Sequence, residues 1–443
     1  MIQVLILAGV YIAAVHFAYA AYIYPVFEYA HYIYLPVSNA ALLFTYLLSL
    51  LPVVALRRSS QPAQAIVALI YTMSFVPIQL SLLFTVELKY ENLFWIQSML
   101  SCSMIVLFLA AKGSMHNNAH YQCWRSSHFQ SMDWVVGMAT AISLVLLVVE
   151  NLGHMRFVSF ADVYDLRFDS SGVPQSAVSG YLISWVSYCF VFYFYARGLV
   201  HRKWVFILVG LAASILLYMS TGTKLGILSL PIALGLSWLW GTGRNFLARL
   251  LLSMIMIIAL LVLALPDDGV GMWIKSIFLV RIIGTAGWAA SKYLEYFSAE
   301  GLTYYSHVGP INALTGIYPF GNLSLGQLIG LQYSGSVEAN FNASFWASDG
   351  FAALGPVGVI VVTPVVAGVL IAVNRSMSSV GAGFVIPWMA GFIMALLNMP
   401  ISTALLSGGG LIIIGQAWWL SRKINLRRGV SRMSSSPIFR RKV

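Results

Sequence analysis

Apolar runs of about 17–25 residues recur along nearly the whole chain, separated by polar breaks. Each is long enough to carry an α-helix across about 30 Å of hydrocarbon. Twelve spans can be read, at about 2–23, 37–56, 63–86, 93–111, 134–153, 179–196, 204–219, 225–241, 248–265, 351–373, 380–397 and 403–420. The pattern predicts an all-α polytopic membrane domain over residues 1–420 and a basic tail at 421–443. Two breaks, 154–178 and 266–350, are longer than most others. A segment as long as the second usually carries structure and function of its own.

Composition narrows the class. Of the 443 residues 60% are apolar and only 9% charged, with a mean hydropathy of +0.83. Soluble domains carry about a quarter charged residues. The charges are also sorted. Eighteen of the 25 Lys and Arg fall in alternate breaks and in the tail, whereas the opposite side keeps seven: Lys89, Arg156, Arg167, Lys224, Lys275, Arg281 and Lys292. That opposite side holds 13 of the 14 acids, Asp133 being the exception. The cation-rich side is expected to face the cytoplasm, together with both termini. The net charge of +11 thus reflects topology, and nucleic acid is not an expected partner. In the tail each cation gains about 1 kcal/mol from anionic lipid, so that segment reads as a disordered anchor. The first span, despite Ala18-Tyr19-Ala20, is expected to stay uncleaved because no cation precedes it. Cys102 and Cys189 lie within spans and Cys123 in a cation-side loop, so no outer disulfide is implied.

Inside the spans ionisable groups are almost missing. His16 and Gln79 are the main polar residues at depth, with Glu150 near an end. An ion-coupled transporter is expected to place carboxylates near the midplane at broken helices, and this pattern is not seen. Chemistry is therefore expected in the two long outer breaks. Within the second, residues 272–298 have helical periodicity, and Arg281, Trp288, Lys292 and Glu295 share a stripe about 60° wide at 100° per residue. This predicts a helix lying on the membrane surface. Beyond it Tyr304, Tyr305, Tyr318, Phe320, Tyr333, Phe345 and Trp346 supply rings that can stack on sugars or form an interfacial belt.

Arg167 and Arg281 stand in the two long outer breaks. A guanidinium matches phosphate as a planar fork, so the pair could hold a pyrophosphate at the membrane surface. The competing readings are a local ion pair of Arg167 with Asp162, Asp165 or Asp169, and snorkelling of Arg281 to headgroups. Lys224, where a helix begins, offers the same choice with free N–H groups beside it. His116, His120 and Cys123 have zinc-like spacing but no compelling fourth ligand, and no Asp-x-Asp triplet occurs, so neither metal nor cofactor is expected.

The twelve spans, the VYDLR run followed by GYL at 180–182, GTK at 222–224, VRIIGTAGWAASKYLEYF and EANFNASFWASDGFAALGPVGV at 338–359 together resemble the Wzy-type O-antigen polymerases, over roughly 160–375. The arginine spacing departs from the Arg-x10-Gly form of some members. The resemblance implies a GT-C-like glycosyltransferase of a bacterial inner membrane. It would join undecaprenyl-pyrophosphate-linked oligosaccharides at the periplasmic face, with lipid pyrophosphate as leaving group. Arg167 and Arg281, aided by Lys224 and Lys292, would bind the pyrophosphate. Glu338, Asp349 and Asp165 are the candidate bases, and Tyr164 and Asn340 would position sugars. Membrane lipids are expected partners, and a chain-length-regulating co-polymerase is left open. The alternatives are an O-antigen ligase, with His307 as base, a capsule or exopolysaccharide polymerase, and a lipid-oligosaccharide flippase or solute permease.

Overall fold

A computed structural model describes residues 2–56, 60–113, 129–158, 176–241, 245–342 and 346–434, with side chains as far as 424 and that of residue 177 excepted. Among these, helix is the only regular secondary structure of any length. Among the described residues ten helices are long and apolar enough to cross a membrane. They are α1 (Ile2–Ala30), α3 (Ala63–Thr85), α4 (Tyr90–Ala111), α5 (Gln130–Asn151), α6 (Val178–His201), α7 (Trp204–Thr221), α9 (Phe246–Ala264), α10 (Gly269–Glu300), α14 (Pro356–Met377) and α17 (Ile401–Ile424). Two shorter apolar helices, α2 (Asn39–Val54) and α8 (Lys224–Trp240), complete the main bundle. Smaller helices are α11 (Gly309–Thr315), α12 (Leu325–Ser334), α13 (Ala347–Leu354), α15 (Ala382–Trp388) and α16 (Ala390–Asn398).

Local sequence explains several departures from straight helices. Prolines lack the N–H that would bond four residues back and crowd that carbonyl. Wide five-residue turns at Tyr19–Ile23 and Tyr71–Phe75 precede Pro25 and Pro77 and relieve this strain. The apolar run at 380–397 is not one helix: it breaks at Met389, two residues after Pro387. At the tail, helical backbone continues to Ser434, into a segment whose charge alone suggested disorder.

Contacts sort the connections into two ends of the bundle. At the cation-rich end, Asn374 accepts from the Ala63 N–H and donates to the Ala111 carbonyl, and the Ser421 hydroxyl donates to the Ser376 carbonyl. The single acid assigned to this side has a clear use. Asp133 accepts from Arg197 Nε at 2.7 Å and Nη2 at 2.5 Å and from the Tyr193 hydroxyl at 2.6 Å, and the buried guanidinium lies between the Phe129 and Phe206 rings. At the loop-rich end, Leu35 N–H bonds the Phe84 carbonyl, the Tyr218 hydroxyl bonds the Val158 carbonyl, and Asp349 accepts from the Ile401 N–H.

Helix α10 departs from the expected surface helix. Its second half is buried from Ala286 to Leu294 and packs along the outer half of α3, which is itself buried along nearly its whole length. A Cβ on Gly287 would lie 2.6 Å from the Pro77 carbonyl oxygen, and Ser291 pairs with Ser81 at 3.2 Å. The first half reaches Tyr22, whose hydroxyl donates to the Met272 carbonyl. α10 therefore begins and ends at the loop-rich end, in spite of its length. Replacing Gly287 with Leu would force a side chain against backbone, and we expect a loss of about 1–3 kcal/mol. Gly235, with open space around it, serves as control. Thermal unfolding in detergent should show Gly287→Leu melting lower and Gly235→Ala unchanged or higher; equal melting would contradict the close α3–α10 contact.

Candidate functional site at the loop-rich end

The wide turns at Tyr19–Ile23 of α1 and Tyr71–Phe75 of α3 each touch a third, at Val280–Gly284 of α10. The last is closed by Thr285, whose N–H and hydroxyl both bond the Val280 carbonyl. Such a turn holds one residue more than an α-turn and so rotates the helix before it by about 100° relative to the helix after it. The expected stripe is divided accordingly. Trp288, Lys292 and Glu295 stay together, whereas Arg281 is displaced and exposed.

Around Trp288 an aromatic wall forms. Its ring centroid lies 4.7 Å from Phe341, 5.9 Å from Tyr333 and 6.1 Å from Tyr32, and His31 stands 5.9 Å from Tyr333. Its indole N–H is buried without an acceptor among the described residues. Tyr32 packs against Gly284, where a Cβ would come within 3.0 Å of its ring. Burial pushes the Tyr32 hydroxyl upward in pKa, opposed by its bond to Thr285 and by the nearby Arg281 charge. Arg281 has no carboxylate partner among the described residues. Lys292, by contrast, is buried and pairs with Glu295 at 2.7 Å; the Tyr333 hydroxyl donates to the same carboxylate at 3.1 Å, and the ammonium sits 5.1 Å from the Tyr333 ring. The cation left to an anionic ligand here is Arg281.

A second cluster lies beside it. His307 Nε2 is 2.8 Å from Asp349 Oδ1, and its Nδ1 is 2.8 Å from Thr303 Oγ1, which also donates to the Ala352 carbonyl. All three side chains are buried. With Oδ2 taken by the Ile401 N–H, both oxygens of Asp349 are engaged, so this residue ties α13 to the start of α17 rather than standing ready to receive a substrate proton. The adjoining Tyr304 and Tyr305 both have positive φ, 50° and 62°. This region costs a non-glycine residue about 1–2 kcal/mol. Bonds from Thr303 and Tyr304 N–H to the Ala352 and Ala353 carbonyls, and from the Tyr305 hydroxyl to the Gly358 carbonyl, hold it.

The other sequence-predicted residues are dispersed. Glu338 and Asn340 are exposed in the stretch after α12, and Asn340 approaches Gly326 closely. Lys224, half-buried, opens α8, which packs chiefly on α7 and α15 rather than on α10. The Val158–Tyr218 bond places Lys224 near the start of the loop that carries Arg167. Arg167, Tyr164 and Asp165, like the His116/His120/Cys123 group, lie outside the described residues. Sequence reasoning missed Tyr32 and Phe341. Six tyrosines between residues 19 and 34 were the available signal. No protein-family model, curated protein or solved structure matches this chain.

Removing the Glu295 carboxylate leaves the buried Lys292 ammonium unpaired. Glu295→Ala should cost about 2–3 kcal/mol, and the Glu295→Ala/Lys292→Met pair should cost less than the single change. A double-mutant cycle read by thermal unfolding checks this; strict additivity would contradict it. The tyrosines add a pH dependence. Burial, and then the Asp349 charge, pushes Tyr305 up to about 12, and burial followed by Tyr296 does the same for Tyr318. A folded pKa above the unfolded value of 10.0 gives stability that is full below that value and lost as pH rises toward about 12. Melting temperature should therefore be insensitive to these groups below pH 10 and fall above it, less steeply in Tyr305→Phe. An unaltered alkaline slope in that variant would contradict the assignment.

Proposed function

We propose that the protein is a Wzy-type oligosaccharide repeat-unit polymerase of GT-C-like architecture, set in a bacterial inner membrane. In this reading the chain crosses the bilayer twelve times, through α1 to α9, α14, the broken pair α15/α16, and α17, with both termini in the cytoplasm. Helix α10 enters and leaves on the periplasmic side, which is the loop-rich end. The alternation of cations between the two ends supports this orientation.

The observation that carries the reading is the exposed Arg281 guanidinium, free of any described carboxylate and near Tyr32, whose ring begins a wall that continues through Trp288 to Tyr333 and Phe341. This arrangement suits a glycan carried on lipid pyrophosphate. Rings cover sugar faces, and the guanidinium holds the diphosphate. In the reaction, a hydroxyl oxygen of one repeat bonds to the anomeric carbon of the growing glycan. The bond from that carbon to the pyrophosphate oxygen breaks and leaves its electron pair on the oxygen, while the hydroxyl proton passes to a base. Charge grows on the departing oxygen, so a cation fixed there lowers the barrier more than it tightens substrate binding. Arg167, in the other long outer segment, would supply the second half of the clamp. Glu338, exposed at the same end, is the carboxylate suited to receive the proton, whereas Asp349 is engaged on both oxygens.

Purified protein given only lipid-linked repeats should lengthen them, which a ligase without its core acceptor or a flippase does not do. Arg281→Ala should lower elongation by about 10²–10³-fold, and Arg281→Lys should retain part of it. Wild-type chain lengths and rates from the alanine variant would remove Arg281 from the mechanism.

A further inference from the structure

The carboxylate that answers Lys292 is only half used. Glu295 Oε2 takes both the Lys292 ammonium, at 2.7 Å, and the Tyr333 hydroxyl, at 3.1 Å. Burial, and after it the charge and hydrogen bond of Glu295, push that hydroxyl upward in pKa, so it stays a donor to the carboxylate. Oε1 has no partner among the described residues. The Glu295 side chain is 28% exposed against 7% for Lys292, so the pair is open on the side of the acid. With Oε2 engaged twice, Oε1 is the oxygen with lone pairs to offer.

The next residue supplies a complementary group. The Tyr296 hydroxyl has no hydrogen-bond partner among the described residues, and its half-buried ring lies 6.0 Å from Phe320, itself 5.8 Å from Tyr318. A carboxylate oxygen accepts, and a phenol can donate or accept, which is what neighbouring sugar hydroxyls require. Half-buried rings stand by both groups, Tyr333 at Glu295 and Phe320 at Tyr296, and can cover the apolar face of the same sugar.

Position along α10 decides which sugar this is. Glu295 comes fourteen residues after Arg281, which at 1.5 Å per residue separates them by about 20 Å. That is several sugar rings. While Arg281 holds the diphosphate, Glu295 is out of reach of the ring whose anomeric carbon reacts.

We propose that Glu295 and Tyr296 form a specificity-determining subsite that binds the hydroxyls of a distal sugar, several rings from the diphosphate. Helix α10 then reads its substrate at two points, and a lipid diphosphate with a single sugar meets only the first. Glu295 binds and touches no reacting atom. That the ligand is a glycan on lipid diphosphate rests on the polymerase reading; the open carboxylate oxygen among rings does not.

Two probes with the same lipid diphosphate separate the points: undecaprenyl pyrophosphate bearing one N-acetylglucosamine, and the lipid-linked repeat extracted from host cells lacking the gene. Affinities of full-length protein in detergent are read by native mass spectrometry. Glu295→Gln, which keeps the shape of the side chain, should weaken binding of the repeat about tenfold and leave the single-sugar lipid within about twofold. Tyr296→Phe should show a smaller loss with the same selectivity, whereas Arg281→Ala should weaken both lipids. Equal wild-type affinity for the two probes, unchanged binding of the repeat by Glu295→Gln, or equal losses from a Glu295→Gln protein that melts like wild type would overturn the proposal. Should Glu295→Gln fold poorly, Tyr296→Phe decides, and a loss that is absent or unselective overturns it. A wild type that does not elongate the repeat, with selective loss in Glu295→Gln, ends the polymerase reading and leaves the subsite. An elongating wild type without that selectivity sinks the subsite alone.

Discussion

The close contact between α3 and α10, made at Gly287 and Ser291 against Pro77 and Ser81, is the constraint on which the loop-rich end depends. Only a residue without Cβ lets the two backbones approach so far, and the paired serine hydroxyls satisfy each other where no water reaches. Everything after Gly287 in α10 is placed by that contact. Trp288, Lys292 and Glu295 come within the next two turns, meet Tyr333 and Phe341 from the segments beyond, and so convert a membrane helix into one wall of a polar site. The wide turn just before it swings Arg281 away from that packed face and leaves its guanidinium accessible.

Charge is handled differently in three places, and burial decides which. At the cation-rich end Arg197 is buried, so it takes the only acid on that side in a bidentate pair. Lys292 is buried as well and is answered by Glu295. Arg281 is exposed, needs no internal partner, and keeps its donors for something else. The same logic separates two of the three carboxylates expected to act as bases, since Asp349 holds backbone and His307 together whereas Glu338 faces solvent.

Much of this was legible in the sequence because the bilayer enforces it. Apolar runs of fixed length gave helices such as Ala63–Thr85 and Trp204–Thr221 within about two residues of the expected limits, since backbone in hydrocarbon has few other ways to satisfy its hydrogen bonds. The wide turns were not legible. They depend on packing between helices far apart in sequence, and one extra residue at Val280–Gly284 was enough to divide the stripe that joined Arg281 to Trp288. Periodicity also misjudged α10, because a helix with cations on one face reads as interfacial whether its polar groups meet water or, like Lys292 and Glu295, each other. The His307–Asp349 pair joins residues 42 apart in sequence and has no local signature.

The central claim is that α10 delivers Arg281 to a lipid diphosphate at the end of the bundle where the helix both begins and ends. A structure of the protein in a lipid nanodisc with undecaprenyl pyrophosphate bound measures this most directly. The account predicts phosphate oxygens within hydrogen-bonding reach of the Arg281 guanidinium, with the first sugar or the chain against Trp288 and Tyr32. A diphosphate held elsewhere, with Arg281 turned into lipid or reached from the cation-rich end, would contradict it.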